Sequence, residues 1–287
     1  MRRVGNFVHS QSIIAAALVA LGALGLSSPA GAYQDAGEER VDYTAYTLRP
    51  GEIAAGPFKA EIGLPGGAMI GTYFPTWVAS PFVKGLIPTA FVKIRDPFAG
   101  PVAVSLRVGM TYFDGTSLAA TATRNKEAKA SLVVIPLEAA ISARFSEVFS
   151  QSVFFTYVAL AAGGTDVTSQ ADIQGAAAFT NSSVSTLLEF RLNRITAITL
   201  LGRVLVHQGH ARFQGNFTEG STTVDADIGT RPRVQSFAAC IVPGLAFSWA
   251  NVNLNLGLGY GTWWIPIVDL PLGGQSVVPD ANFFFRF

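Results

Sequence analysis

The charged residues that could do chemistry recur at every second position of otherwise apolar segments. In one such segment, Lys93 and Arg95 alternate with Val92 and Ile94. Successive side chains of a β-strand point to opposite faces, so this spacing places the charges on one face and the apolar residues on the other. The pattern predicts eight residues that line an enclosed interior: Lys93, Arg95, Arg107, Glu138, Glu189, Arg191, Arg203 and His207.

Basic groups outnumber acidic groups in this predicted lining, and two interpretations follow. The charges could surround an aqueous channel with a mild preference for anionic solutes. They could instead pair with one another, because a buried charge is costly unless a partner satisfies it. The residues alone leave both interpretations open.

No set of residues predicts an enzyme, a metal site or a cofactor. His207 and His210 could bind a metal, but no third ligand is spaced near them. Asp225 and Asp227 lie in a polar connection, where solvated charges are usual. Cys240 is the single cysteine, so an intramolecular disulfide is impossible, and we expect an inert packing group there.

The N-terminus has the features of a secretory signal peptide. Arg2 and Arg3 are followed by an apolar stretch at 13–26 and by the small residues Ala30-Gly31-Ala32. We therefore expect a cleaved segment at 1–32 and one domain at 33–287. Without Arg2 and Arg3, the chain has 18 basic and 19 acidic residues, which gives no argument for nucleic-acid binding.

The composition is apolar, but the apolar residues are dispersed. Charged residues make up 14% of the chain, against about 25% in soluble domains. After residue 32 no apolar run is long enough for a membrane-spanning helix. High apolarity without long apolar runs is typical of alternating strands.

The alternation predicts an all-β, up-and-down antiparallel transmembrane barrel of about twelve strands, with ten or fourteen as alternatives. Short turns alternate with longer loops, as in transmembrane barrels, and the longer connections include 114–129, 162–177 and 209–232. Residues 133–144 also fit a helix. The twelve predicted strands are 41–49, 58–64, 68–77, 90–95, 102–112, 133–144, 153–159, 184–191, 198–207, 237–247, 252–264 and 279–287.

The last strand carries the most specific signal. Phe283, Phe285 and Phe287 fall on one face, whereas Arg286 falls on the other, and the chain ends on Phe287. This strand resembles the C-terminal strand of Gram-negative outer-membrane β-barrel proteins. The resemblance implies an outer-membrane location, contact with outer-membrane lipid, and recognition of the three phenylalanines by the barrel-assembly machinery.

The first functional hypothesis is a passive pore for small polar solutes. The second is a closed-lumen structural or surface-interaction barrel that acts through its loops at 114–129 and 209–232. A third, a lipid-modifying enzyme similar to the outer-membrane phospholipase, is disfavoured because His207-Gln208-Gly209 lacks the serine of that family's motif. A fourth is a soluble β-sandwich, in which the terminal phenylalanines would form a buried edge.

Overall fold

Strands account for most of the computed structural model of the chain. It describes residues 43–74, 77, 86–96, 102–114, 116, 129–167, 171–209, 211–219, 222–230, 238–249, 252–265 and 270–287. The predicted signal peptide and most of the loop at 114–129 lie outside these ranges. No helix in the described ranges is long and apolar enough to cross a membrane.

The described residues form fourteen strands, of which twelve close into a barrel. The ladder runs from β1 to β9 in chain order, continues through β12, β13 and β14, and returns to β1 with antiparallel pairing throughout. The predicted all-β barrel of twelve strands is therefore confirmed. The strands are β1 Ile53–Ala55, β2 Lys59–Leu64, β3 Ala68–Tyr73, β4 Leu86–Arg95, β5 Val102–Asp114, β6 Lys129–Arg144, β7 Phe149–Val167, β8 Ala171–Arg191, β9 Thr196–Gln208, β10 Ala211–Glu219, β11 Thr222–Thr230, β12 Ala239–Trp249, β13 Val252–Ile265 and β14 Leu270–Arg286.

The period-two pattern sorts side chains between the exterior and the interior of the barrel. On β5, Val104 and Leu106 are 44% and 55% exposed on the outside, whereas Ser105 between them is 4% exposed and faces inward. Residues 133–144 form part of strand β6, and not a helix, because β5 and β7 both supply ladder partners for their backbone.

The first predicted strand is wrong. Residues 43–49 form no strand, residues 44–48 are buried inside the barrel, and the first strand is β1. The chain turns at Gly51, whose φ of 82° favours glycine, and Gly51 N donates to Gly63 O at 2.9 Å. This turn directs the preceding residues into the lumen, while the residues that follow complete the ring.

Two predicted loops are also wrong. The 162–177 region is mostly strand, because β7 and β8 extend well beyond the barrel wall. The 209–232 region contains the β10–β11 hairpin. This hairpin pairs with residues 171–178 of β8, while residues 181–191 of the same strand pair with β9. The hairpin thus supplies hydrogen-bond partners for the part of β8 that β9 does not reach.

The wall of the barrel is uneven in height. Strands β1, β2 and β3 have 3, 6 and 6 residues, whereas β7 and β8 have 19 and 21. The predicted third strand is shorter than expected, and Trp77 lies outside it. The chain enters β1 and leaves β14 at the same end of the barrel, which we call the short-turn end because the turn at Pro65–Gly67 lies there.

Candidate functional site

A segment of the chain itself occupies the lumen. Residues 43–48, here called the strap, enter from the short-turn end and cross the interior. Ala45 is 0% exposed and Leu48 is 2% exposed, and Tyr46 between them is also buried. Twelve strands enclose a space intermediate between a filled barrel and an open channel, and the strap fills part of this space.

The wall of the barrel binds the backbone of the strap through hydrogen bonds. Lys93 Nζ donates to the carbonyl oxygens of Thr44 and Tyr46, both at 2.7 Å. Ala45 N donates to Ser142 Oγ at 2.6 Å, and Ser142 Oγ lies 2.7 Å from Ser152 Oγ. These contacts supply partners for polar groups that would be costly to bury alone.

Aromatic contacts hold the side chains of the strap. The ring of Tyr43 stacks on Phe154 with 6.0 Å between centroids. The guanidinium of Arg95 lies over the ring of Tyr46, 5.5 Å from its centroid. A guanidinium in this position is attracted by the negative face of the ring.

Ion pairs neutralise several charges that face the lumen. Arg107 Nη2 donates to Glu138 Oε2 at 3.0 Å, and Arg191 Nε donates to Glu189 Oε1 at 2.9 Å. On β2, Lys59 Nζ donates to Glu61 Oε1 at 2.8 Å. Arg107 also lies over the ring of Phe91, at 5.6 Å. The structure therefore pairs three basic residues of the interior with three acidic ones, whereas Lys93, Arg95 and Arg203 contact carbonyl oxygens, aromatic rings or a hydroxyl.

A second group of lumen residues is apolar. Phe154, Leu187, Leu201, Val242 and Trp264 belong to one buried cluster that also includes Ala45 and Tyr46 of the strap. Arg203 lies over the ring of Trp264 at 5.1 Å, and its Nε donates to Ser185 Oγ at 2.9 Å. Cys240 is buried in the same cluster.

One cavity beside the strap is small. It is lined by Tyr43, Leu187, Thr199 and Asn255, among others, and has a volume of about 10 Å³. A water molecule needs about 10–15 Å³, so this cavity has room for about one water molecule.

Seven of the eight predicted lining residues face the interior, and His207 is the exception. Between Ser182 and Ser183 the ladder of β8 with β9 shifts register, so His207 is opposite Ser182 and Leu205 is opposite Ser183. The shift turns His207 to the face of β9 opposite to Arg203, and His207 is exposed. A single bulge reverses the alternation beyond it, which the sequence pattern does not reveal. Lining of a conducting pore by the other seven stays a prediction.

Sequence reasoning missed the strap and its binding residues. Residues 43–48 read Tyr-Thr-Ala-Tyr-Thr-Leu, which fits a strand by composition. The one available signal was Gly51 with Pro50 before it, a turn pair that separates this stretch from the strands that follow. Ser142 has the same strand parity as Glu138 and so falls on the inner face, but nothing in the sequence connects it with Ala45.

The terminal phenylalanines lie outside the lumen. Phe285 and Phe287 are exposed on the exterior, with ring centroids 6.1 Å apart, and Phe283 contacts Phe285 at 4.9 Å. Phe284, on the other face, is buried below the ammonium of Lys59. Recognition of the three outer rings by the assembly machinery stays a prediction. Within the described ranges, no three His, Cys, Asp or Glu residues form a group that could hold a metal.

Comparison with known proteins finds similar architecture without similar sequence. No family model matches the chain, and no curated protein is similar to it in sequence. The translocator domain of the autotransporter NalP from Neisseria meningitidis is 11% identical, with a TM-score of 0.41, over 81% of this chain and 72% of that one. CdiB from Escherichia coli is 9% identical, with a TM-score of 0.27, over 82% of this chain and 61% of that one. CdiB from Acinetobacter baumannii is 10% identical, with a TM-score of 0.27, over 82% of this chain and 59% of that one. These likenesses concern the barrel fold alone.

Proposed function

We propose that this protein is an integral outer-membrane β-barrel whose lumen is closed at rest by its own strap. The observation that carries the proposal is the burial of residues 43–48 inside the barrel, with Lys93 and Ser142 bonded to their backbone. A lumen that is filled and internally paired does not conduct solutes freely.

The exterior supports the membrane location. Apolar side chains on the outside of the wall are widely exposed, including Ile94, Met110, Ile141, Ile241 and Leu258. Exposed apolar surface of this extent on a water-soluble protein would be an aggregation hazard, whereas lipid-facing strands require it. The proposal includes export by the signal peptide at 1–32, contact with outer-membrane lipid, and assembly through the C-terminal strand.

The function of a closed barrel would reside at the end opposite the short turns. The β10–β11 hairpin continues the sheet of β8 beyond the barrel wall. We therefore place the surface-interaction function of a closed barrel in this hairpin and in the 114–129 connection.

A second candidate, a small-solute pore gated by the strap, rests on one specific observation. Hydroxyl groups and paired charges line part of the wall around the strap, beside the apolar cluster that includes Phe154 and Trp264. Displacement of the strap would therefore leave a partly polar path with excess positive charge and a mild preference for anions. The inward hydroxyl residues are Ser105, Ser142, Ser152, Thr156, Ser183, Ser185 and Thr199.

Conductance in a planar bilayer tests both candidates. The wild-type protein is compared with a variant in which residues 43–48 are replaced by glycine and serine in equal number. We expect no steps from the wild type, and steady ohmic steps from the wild type would refute closure by the strap. Steps that appear only in the variant would favour the gated pore, whereas silence from both would favour the closed barrel.

The proposal contains no enzymatic step. A lipase assay of the refolded protein in detergent tests this part directly. Turnover above that of a heat-unfolded control would contradict it.

A further inference from the structure

Strand β11 forms an edge of the sheet, and we propose that this edge binds an extended, basic segment of another protein by strand addition. The inference rests on the surface-interaction function proposed above for the β10–β11 hairpin. Among the described strands, β11 has a ladder with β10 alone, and it stands at one end of the strand order. All nine residues of β11 take part in that ladder.

A fork in β8 creates this edge. Residues 171–178 of β8 pair with β10, whereas residues 181–191 pair with β9, so the hairpin branches away from the closed ring. On the side away from β10, the backbone of β11 presents a row of N–H and C=O groups. Such a row is a template for another chain, because an added strand supplies hydrogen-bond partners along its whole length.

The part of the sheet that carries this edge is acidic. It consists of residues 161–167, 171–178, 211–219 and 222–230. These ranges contain five acidic residues and one basic residue, whereas the whole chain has a formal net charge of +1. The acidic residues are Asp166, Asp172, Glu219, Asp225 and Asp227, and the basic residue is Arg212. A surface of one sign attracts a partner of the opposite sign and speeds its association.

The alternation within β11 specifies the partner further. Asp225 and Asp227 are two positions apart and so fall on one face of the sheet, whereas Val224, Ala226 and Ile228 fall on the other. Residues opposite each other in a ladder share a face, and opposite charges in such pairs stabilise the ladder. The best match to this edge is therefore an extended segment in which basic residues alternate with apolar ones.

A second copy of β11 is a poor partner for this edge. Antiparallel pairing of β11 with itself over its full length is centred on Ala226, and it brings the Asp225 of each copy opposite the Asp227 of the other. Like charges in directly opposite positions destabilise a ladder, and charged residues protect edge strands from self-association. The same acidic surface repels the phosphates of lipid headgroups and nucleic acids. These considerations favour a basic polypeptide.

The probe is a fluorescently labelled peptide of nine residues in which lysine and valine alternate. Its binding to the refolded protein in a non-ionic detergent is followed by fluorescence polarisation. We expect saturable binding, and a peptide with glutamate in place of lysine should bind about tenfold more weakly. Methylation of the backbone nitrogens keeps the charge of the lysine peptide but removes its hydrogen-bond donors, so it should also weaken binding by about tenfold.

A charge exchange in the protein locates the site. In the variant that combines Asp225→Lys with Asp227→Lys, the glutamate peptide should bind about tenfold more tightly than the lysine peptide. The matched control combines Asp172→Lys with Glu219→Lys. It alters the net charge equally, but on β8 and β10, where each position has ladder partners on both sides. The control should still prefer the lysine peptide.

Equal binding of the lysine, glutamate and methylated peptides would overturn the inference, and so would the absence of binding to a heat-modifiable barrel. A reversed preference in both double variants would indicate general attraction by charge and would overturn binding at the edge of β11. If the variant of Asp225 and Asp227 fails to fold, the three peptides with wild-type protein still decide. Conductance of the same preparations tests the closed barrel separately, because steady steps refute closure whether or not a peptide binds.

Discussion

Arg286 Nη2 donates to Glu52 Oε2 at 3.1 Å, and Arg286 Nε donates to the other carboxylate oxygen. These residues are 234 positions apart in the chain. Glu52 lies between the strap and β1, and Arg286 is the last residue of β14, so the pair joins the base of the strap to the seam where the barrel closes. The ladder at this seam is short. Ala54 is opposite Arg286, Ala55 is opposite Phe285, and the backbones of Ile53 and Phe287 exchange two hydrogen bonds.

Stability should depend on pH through Glu52. Burial raises the pKa of this carboxyl, but the hydrogen bond and charge of Arg286, together with the backbone N–H and charge of Arg49, outweigh burial and hold the pKa below its usual value of 4.5. A depressed pKa in the folded state means that the stabilisation is complete above the usual value and is lost as the pH falls through the lowered one. Glu52→Gln should therefore remove part of the acid sensitivity seen in denaturant unfolding.

The matched control for that experiment is Glu147→Gln, because Glu147 is exposed in a short turn far from the seam. An unfolding midpoint that depends equally on pH in wild type and Glu52→Gln would contradict the role of the pair.

Lys93→Met should release the strap. The substitution keeps an apolar side chain of similar length, but it leaves the carbonyls of Thr44 and Tyr46 without the ammonium donor. Loss of a buried charged donor costs about 1–3 kcal/mol. Limited proteolysis should cut the variant within the strap faster than the wild type. Lys129→Met, at an exposed position at the start of β6, is the control, and equal cleavage rates in all three proteins would refute the prediction.

The Arg107–Glu138 pair should show coupling in a double-mutant cycle. Removal of Arg107 alone leaves a half-buried carboxylate unpaired, so we expect Arg107→Met to destabilise the barrel by about 1–3 kcal/mol. The double variant with Glu138→Leu should lose less than the sum of the two single losses. Additive losses, measured by denaturant unfolding, would show that the two charges do not stabilise each other.

Gly259→Ala should impair folding of the barrel. A Cβ at this position would lie 2.0 Å from Ile241 O and 2.6 Å from Val242 Cα, both backbone atoms of β12. Backbone cannot move aside as a flexible side chain can, so we expect a loss of about 2 kcal/mol or more. Gly274→Ala on β14 is the control, because a Cβ there meets nothing within 4 Å. Equal yields of heat-modifiable barrel from both variants would contradict this prediction.

Much of the wall could be predicted because the alternation is strong. Eleven of the twelve predicted strands correspond to barrel strands, from 58–64 at β2 to 279–287 at β14. The predicted count of twelve strands is correct, but one of the twelve differs. Residues 41–49 were predicted to form the first strand, whereas β1 at Ile53–Ala55 takes that place in the barrel. The inward direction of Lys93, Arg107, Glu189 and Arg203 also follows from their spacing.

The candidate site was less predictable, because its parts are distant in the chain. Ala45 and Ser142, which bond inside the lumen, are 97 residues apart. No local pattern links such residues. His207 fails for a different reason, since its alternation with Arg203 is regular in sequence and a single register shift reverses it.

The sequence by itself determined the strands and the two faces of the wall. Successive side chains of a strand point to opposite faces, and in a barrel one face meets lipid while the other meets the lumen. Each strand therefore shows the alternation in its own sequence, whatever its neighbours are. Only the tertiary structure decided what the ring encloses. The burial of the strap, the choice of Arg286 as partner of Glu52 and the position of β11 at an edge depend on register and closure, and these arise when distant strands pair.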